Sequence, residues 1–299
     1  MNKKHIVVSG CSFTISDGVN IGTNNRSWAY SLIDHLQDEN IEFHNVGISG
    51  GGNYAIAMSC INCVDNLLKQ GIKKEDICVF VQWSGLFRPT IYVENSGARV
   101  LDFNEANTPY FSLKNISQDN GYFIDTAGQF KRDNPLWKNY FENFFSLPAA
   151  FIETLNNILK TQWFLESKDI KYKMFTAWDI FTTHDKSIKR FGSDKVLNTN
   201  QFGDNIYENY NNPLLIALYP YSKHLWDMIN WLNFWTFKNE KVQFGGIVQW
   251  VQHNKEFKDW YVDYGADFHI PNHTSMDFSK EIIVPLYNEM LGEKNEESV

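Results

Sequence analysis

The 299-residue chain is short of four things, and each shortage excludes something. Cysteine is scarce. Cys11, Cys60, Cys63 and Cys78 all fall in the first third, so they cannot staple a long chain into a secreted disulfide scaffold. Cys60 and Cys63 form a C-x-x-C, but they share an apolar helical stripe with Ile56 and Leu67, and no second Cys/His pair stands near them. They read as buried structural thiols, and no metal is expected. Clustered basic residues are missing as well: 27 Lys and Arg against 35 Asp and Glu leave a formal charge of −8. That is the wrong sign for gripping a phosphate backbone, so nucleic acid is not expected as a partner. No uncharged apolar run reaches the roughly 18 residues a membrane span needs. The apolar stretch after Met1-Asn2-Lys3-Lys4-His5 is only Ile6-Val7-Val8, too short for the core of a signal peptide. A soluble, cytoplasmic protein with no membrane partner is the expectation. The last shortage is local: of 10 Trp, 14 Tyr and 23 Phe, only seven lie in residues 1–84.

What is present begins with a repeated strand, turn and helix. Residues 5–9 form a short buried strand running into Gly10, after which Trp28, Leu32, Ile33 and Leu36 recur at helical spacing. A second strand at 41–46 leads through Gly47 to Gly52 into a helix from Asn53 to Gln70, closed by Gly71, and a third strand follows at 77–81. Apolar strands alternating with helices predict a parallel sheet covered on both faces, an α/β fold in the form of a three-layer αβα sandwich. Residues 89–134 and 182–262 break the rhythm and read as two aromatic-rich insertions in a single domain spanning 1–299. Between them a helix is expected over 147–167 and a strand over 172–177. Leu225 to Phe237, apolar on all sides, reads as helical, and a last helix opens near Thr274 or Ser275 and must kink or restart at Pro285.

Ligands in open parallel sheets sit at the carboxyl ends of the strands, so chemistry is sought in the turns after the first three. These hold Gly10-Cys11-Ser12-Phe13-Thr14, Asn45 through Asn53, and Gln82-Trp83-Ser84-Gly85, with Arg88 just beyond. A Ser past a strand end, two residues after Gly, can present its hydroxyl to a substrate carbonyl. It is not a G-x-S-x-G elbow, since Thr14 stands in the last place, and an ordinary Ser/Thr turn or helix cap remains the plain alternative. A Ser nucleophile needs a base and the base an orienting acid. Of the 8 His, His269 alone has an acid close by and a helix following, in Asp267-Phe268-His269, whereas Ile270 and Pro271 stand ahead of His273. Backbone N–H groups of Ser12 and Gly50, with the Asn53 amide, are candidate oxyanion donors. No phosphate-binding glycine motif is completed in Gly50-Gly51-Gly52, and no cofactor is expected.

Gly10-Cys11-Ser12-Phe13-Thr14 and the Asn45-x-Gly47-x-x-Gly50 segment resemble the first two motif blocks of the SGNH (GDSL-like) hydrolase superfamily. The resemblance covers about residues 5–84 and 262–291. It implies a flavodoxin-like sandwich, ester or amide hydrolysis without a metal, Ser12 as nucleophile, His269 as base, Asp267 as orienter and Gly50 in the oxyanion hole. Two features depart from the family pattern. Gln82-Trp83-Ser84-Gly85 stands where the family has G-x-N-D, so Ser84 takes the place of the Asn donor, or Gln82 or Asn53 takes its job. The acid stands two residues before His269 where the family has three. Gln82, Trp83 and Arg88 are the candidate substrate contacts. The function expected is that of a serine esterase removing small acyl groups, such as acetyl, from a carbohydrate or other small ester. A binding or structural module that has lost turnover, and an acyltransferase, are the competing expectations.

Overall fold

All but the first residue of β1 (Lys4–Ser9) are buried, as befits a strand covered on both faces. A computed structural model describes residues 3–15, 27–48, 50–86, 88–93, 100–101, 113–114, 122–125, 143–182, 213–260 and 269–292. After β1 come the one-turn helix α1 (Ser12–Ile15), α2 (Trp28–Leu36), β2 (Ile41–Asn45) and α3 (Asn53–Lys69). β3 (Ile77–Trp83) follows, buried along its whole length. A small antiparallel sheet of order β4-β7-β5-β6 is made by β4 (Thr90–Val93), β5 (Val100–Leu101), β6 (Leu113–Lys114) and β7 (Tyr122–Asp125). The chain then returns through α4 (Leu147–Ser167) to β8 (Lys171–Thr176).

The main sheet is parallel, in the order β2-β1-β3-β8. An isolated parallel bridge from Met174 to Phe234, with the Trp235 N–H donating to the Met174 carbonyl at 2.8 Å, adds a fifth position beyond β8. The order is that of a flavodoxin-like sheet. On one face Ser9 donates to the Ile56 carbonyl at 2.9 Å, which seats α3, and α3 packs on α4. On the other, Trp28 of α2 meets Phe80 and Phe175 edge-on, with ring centres 6.2 and 5.0 Å away. Large side chains fully enclosed there, Trp28, Phe80, Phe175 and Phe278 among them, each contribute roughly 1.5–3 kcal/mol by leaving water.

Residues 225–237 correct the sequence reading. Helix α5 (Lys223–Asp227) is short, a 3₁₀ turn covers Trp231–Asn233, and Phe234 is extended against the sheet. The rings of Trp226, Trp231, Phe181 and Phe244 instead pack on one another, with centres 4.5–5.8 Å apart. An all-round apolar segment has no period to fix a helix, and ring packing decides its path. Helix α6 (Ile247–Asn254), which the sequence reading left inside an insertion, follows. The C-terminal rod is α7 (Asn272–Phe278), a π turn at Ser279–Ile283 and α8 (Val284–Leu291). It starts slightly earlier than expected and widens where Pro285 cannot donate to the preceding turn. Among the described residues, no helix is long and apolar enough to cross a membrane.

Candidate active site

The turn after β1 is held by its own residues. Ser12 opens α1 and is 7% exposed. The Thr14 N–H donates to the Cys11 carbonyl at 2.8 Å, and the Thr14 carbonyl accepts from Ser27 Oγ at 2.6 Å and Asn45 Nδ2 at 3.0 Å. Thr14 Oγ1 donates to Gln82 Oε1 at 3.0 Å, tying the turn to β3. A Cβ on Gly10 would overlap Thr14 Oγ1 and stand 3.0 Å from Gln82, so the motif's glycine is sterically required.

The neighbouring turns close around this one. The Ile48 N–H donates to the Gly10 carbonyl at 2.8 Å, bringing the turn after β2 against the turn after β1. Gly50 has φ +70°, the left-handed region that glycine enters without steric cost. Asn53, first residue of α3, reaches the end of β3: Oδ1 accepts the Ser84 N–H at 2.8 Å, and Nδ2 donates to the Ser84 carbonyl and to Thr154 Oγ1, each at 3.0 Å. Both amide hydrogens of Asn53 are therefore committed inside the protein, which corrects its reading as an oxyanion donor. Gln82 is corrected likewise. Its oxygen accepts from Thr14 Oγ1 and its Nε2 donates to the Trp83 carbonyl at 2.7 Å, so its amide is committed to holding the turn. Trp83 is enclosed, and among the described residues its Nε1 donates to nothing. Ser84 is 0% exposed, and among the described residues its Oγ has no hydrogen-bond partner.

His269 comes from the segment ahead of α7. Its ring centre lies 5.1 Å from that of Phe13, the residue after Ser12, and its Nε2 is shielded from solvent. The structure thus brings the near-C-terminal histidine to the turn after β1. Asp267 lies outside the described residues. His273 points elsewhere, its Nε2 3.1 Å from Asp259 Oδ1 on an exposed surface.

Two contributors went unread in the sequence. Trp178, in the turn after β8, has its ring centre 5.8 Å from that of Phe13, and the Arg88 guanidinium lies over it at 5.1 Å. The strand-end rule that led to the first three turns also covers the turn after the fourth. Thr154, in the middle of α4, carries no local signal. Away from this edge, His5, Glu42 and His44 form a group able to hold a metal ion, with ligand atoms within 4.8 Å of one another and His5 Nδ1 3.0 Å from His44 Nε2.

Two solved structures are similar to the chain over most of both lengths. A member of the lipolytic protein G-D-S-L family from Veillonella parvula is 10% identical with a TM-score of 0.39, covering 93% of this chain and 97% of its own. A protein described as a GDSL-like lipase from Parabacteroides merdae is 12% identical with a TM-score of 0.37, covering 98% and 99%. No family model matches the chain, and no curated protein does.

Proposed function

We propose that the chain is a serine esterase of the SGNH kind, acting on small acyl esters such as acetylated carbohydrates. The observation that carries this reading is the convergence of Ser12 and His269 on Phe13: the first residue of a tightly held turn and a ring delivered from the far end of the chain. A neutral hydroxyl attacks poorly and needs a base beside it. In the proposed reaction Ser12 Oγ attacks the ester carbonyl carbon while His269 takes its proton. The carbonyl oxygen becomes an oxyanion facing the N–H groups of Ser12 and Gly50 and the Ser84 hydroxyl. Collapse expels the alcohol, which leaves with the proton held by His269. Water then attacks the acyl-Ser12 ester, giving its proton to His269; collapse breaks the acyl–Oγ bond, Ser12 Oγ takes that proton back from His269, and the acid is released. Asp267 holds the imidazolium in this scheme.

Ser84 supports the assignment independently. Leaving a buried hydroxyl without a partner costs about 1–3 kcal/mol. A hydroxyl set by Asn53 at the strand end, where the motif resemblance places an Asn donor, finds its acceptor when the oxyanion forms.

The test is turnover of 4-nitrophenyl acetate together with fluorophosphonate labelling. Wild type is expected to hydrolyse and label, with kcat falling by about 10³-fold or more in both Ser12→Ala and His269→Gln. Turnover that survives Ser12→Ala would overturn the nucleophile assignment. A wild type that neither turns over nor labels would leave the binding-module reading.

A further inference from the structure

Arg88 follows the end of β3 and is half-buried. Its guanidinium carbon lies over the Trp178 ring, 5.1 Å from the ring centre, within cation–π range. Trp178 lies near Phe13, and Phe13 touches His269, which makes a continuous run of flat groups from the proposed base to the cation. Three strand-end turns contribute to it: Phe13 from β1, Arg88 from β3 and Trp178 from β8.

A cation held over a ring still leaves its N–H groups to find acceptors. Among the described residues, the buried Nη1 of Arg88 donates to nothing and no carboxylate pairs with it. Asp179, beside Trp178, has its Oδ1 turned to the N–H groups of Phe181 and Thr182, at 2.8 and 3.0 Å. A buried lysine could relieve the strain by losing its proton, but a guanidinium stays charged. An unmet donor on a permanent cation, linked through Trp178 and Phe13 to the proposed base, calls for an anion from outside the chain.

We infer that Arg88, set on Trp178, receives a carboxylate of the substrate, so that the esters hydrolysed carry one free carboxylate close to the scissile bond. This rests on the esterase reading above and adds the substrate class: half-esters of dicarboxylic acids, or O-acylated acids. A carboxylate fits better than a phosphate dianion. One guanidinium matches one negative charge with a planar, two-pronged hydrogen bond, and a chain of net charge −8 does not favour a second.

The experiment compares matched ester pairs. 4-Nitrophenyl hydrogen succinate against its methyl ester places the charge on the acyl side, and 4-acetoxybenzoate against its methyl ester places it on the leaving group. Wild type is expected to prefer the charged member of at least one pair by about 10- to 100-fold in kcat/KM, expressed in KM and weakened by salt. Arg88→Gln is expected to bring that ratio close to one, and Arg88→Lys to restore part of it. A wild type without preference, or a ratio unchanged in Arg88→Gln, overturns the inference. Should no ester be hydrolysed and Ser12 not label, the esterase reading fails. The carboxylate site is then decided by calorimetric titration of Ser12→Ala with succinanilate and 4-acetamidobenzoate: binding of either that is lost on adding Arg88→Gln upholds it, and binding of neither overturns it.

Discussion

Asn53 grips the backbone of Ser84 from both sides, accepting its N–H at 2.8 Å and donating to its carbonyl at 3.0 Å. A single amide thus copies a pair of sheet hydrogen bonds and fixes where β3 ends, with the third bond to Thr154 pinning α3 to α4. Asn53→Ala leaves the buried Ser84 groups and the Thr154 hydroxyl unmet. It is expected to destabilise the protein by about 2–4 kcal/mol in urea unfolding and to lower esterase turnover through the displaced Ser84. Asn53→Asp keeps the acceptor but faces two oxygens with a third, and it is expected to be no better. A loss under about 1 kcal/mol for both would contradict a clamp.

The glycine of the first motif block is required by what surrounds it. Any Cβ at position 10 overlaps Thr14 Oγ1 and presses on Gln82, the two groups whose hydrogen bond holds the turn to β3. Gly10→Ala is expected to cost about 2–4 kcal/mol and most of the activity. Thr14→Ala removes the group that clashes, so the double variant is expected to lose less stability than the sum of the singles. Strict additivity in thermal unfolding would show that the crowding is relieved elsewhere.

How much of this was legible follows from range. The strands from Ile6 to Val81 and their parallel pairing could be read because a strand covered on both faces is apolar throughout, and the same logic placed Ser12, Gly50 and Ser84 at one edge. Phe234 on the sheet edge could not be read, because the segment around Trp231 has apolar residues at every helical position and its path is set by rings from distant segments. The antiparallel pairing of Thr90–Val93 with Tyr122–Asp125 lies inside a polar, turn-rich stretch with no alternation long enough to notice. Asn53 and Gln82 looked like donors to substrate because an amide at a strand-end turn carries no mark of its partners. Only packing showed that Thr154, Ser84 and Thr14 already use them.

His44, buried against His5, makes stability depend on pH. Burial pushes the His44 pKa below its usual 6.5, Glu42 opposes this by attraction, and the neighbouring His5 adds to the lowering. A folded-state pKa below the unfolded one means the unfolded chain binds the extra proton first. His44 therefore contributes its full stability above 6.5, and loses it as pH falls from there towards the depressed folded value. Thermal unfolding scans between pH 7.5 and 5 are expected to show a steeper fall in Tm for wild type than for His44→Gln. Parallel curves would show that His44 does not change its proton affinity on folding.

The four cysteines are all free and buried, and their chemistry can be read directly. Cys60 and Cys63 lie one turn apart on α3, and burial pushes the Cys63 thiol up to about 12 and raises Cys60 further, with Cys63 beside it adding to the rise. Burial raises Cys78 as well, offset in part by Lys171 and Lys4. A thiol attacks as its thiolate, so at pH 8 these groups are both protonated and shielded. Native protein is expected to give no appreciable reaction with Ellman's reagent over minutes, and four equivalents once unfolded in guanidinium. The rate of any slow native reaction should track global unfolding, falling as stability rises. Rapid native labelling of two thiols would instead mark Cys60 and Cys63 as an accessible redox pair, and a core built on them as packing groups would no longer stand.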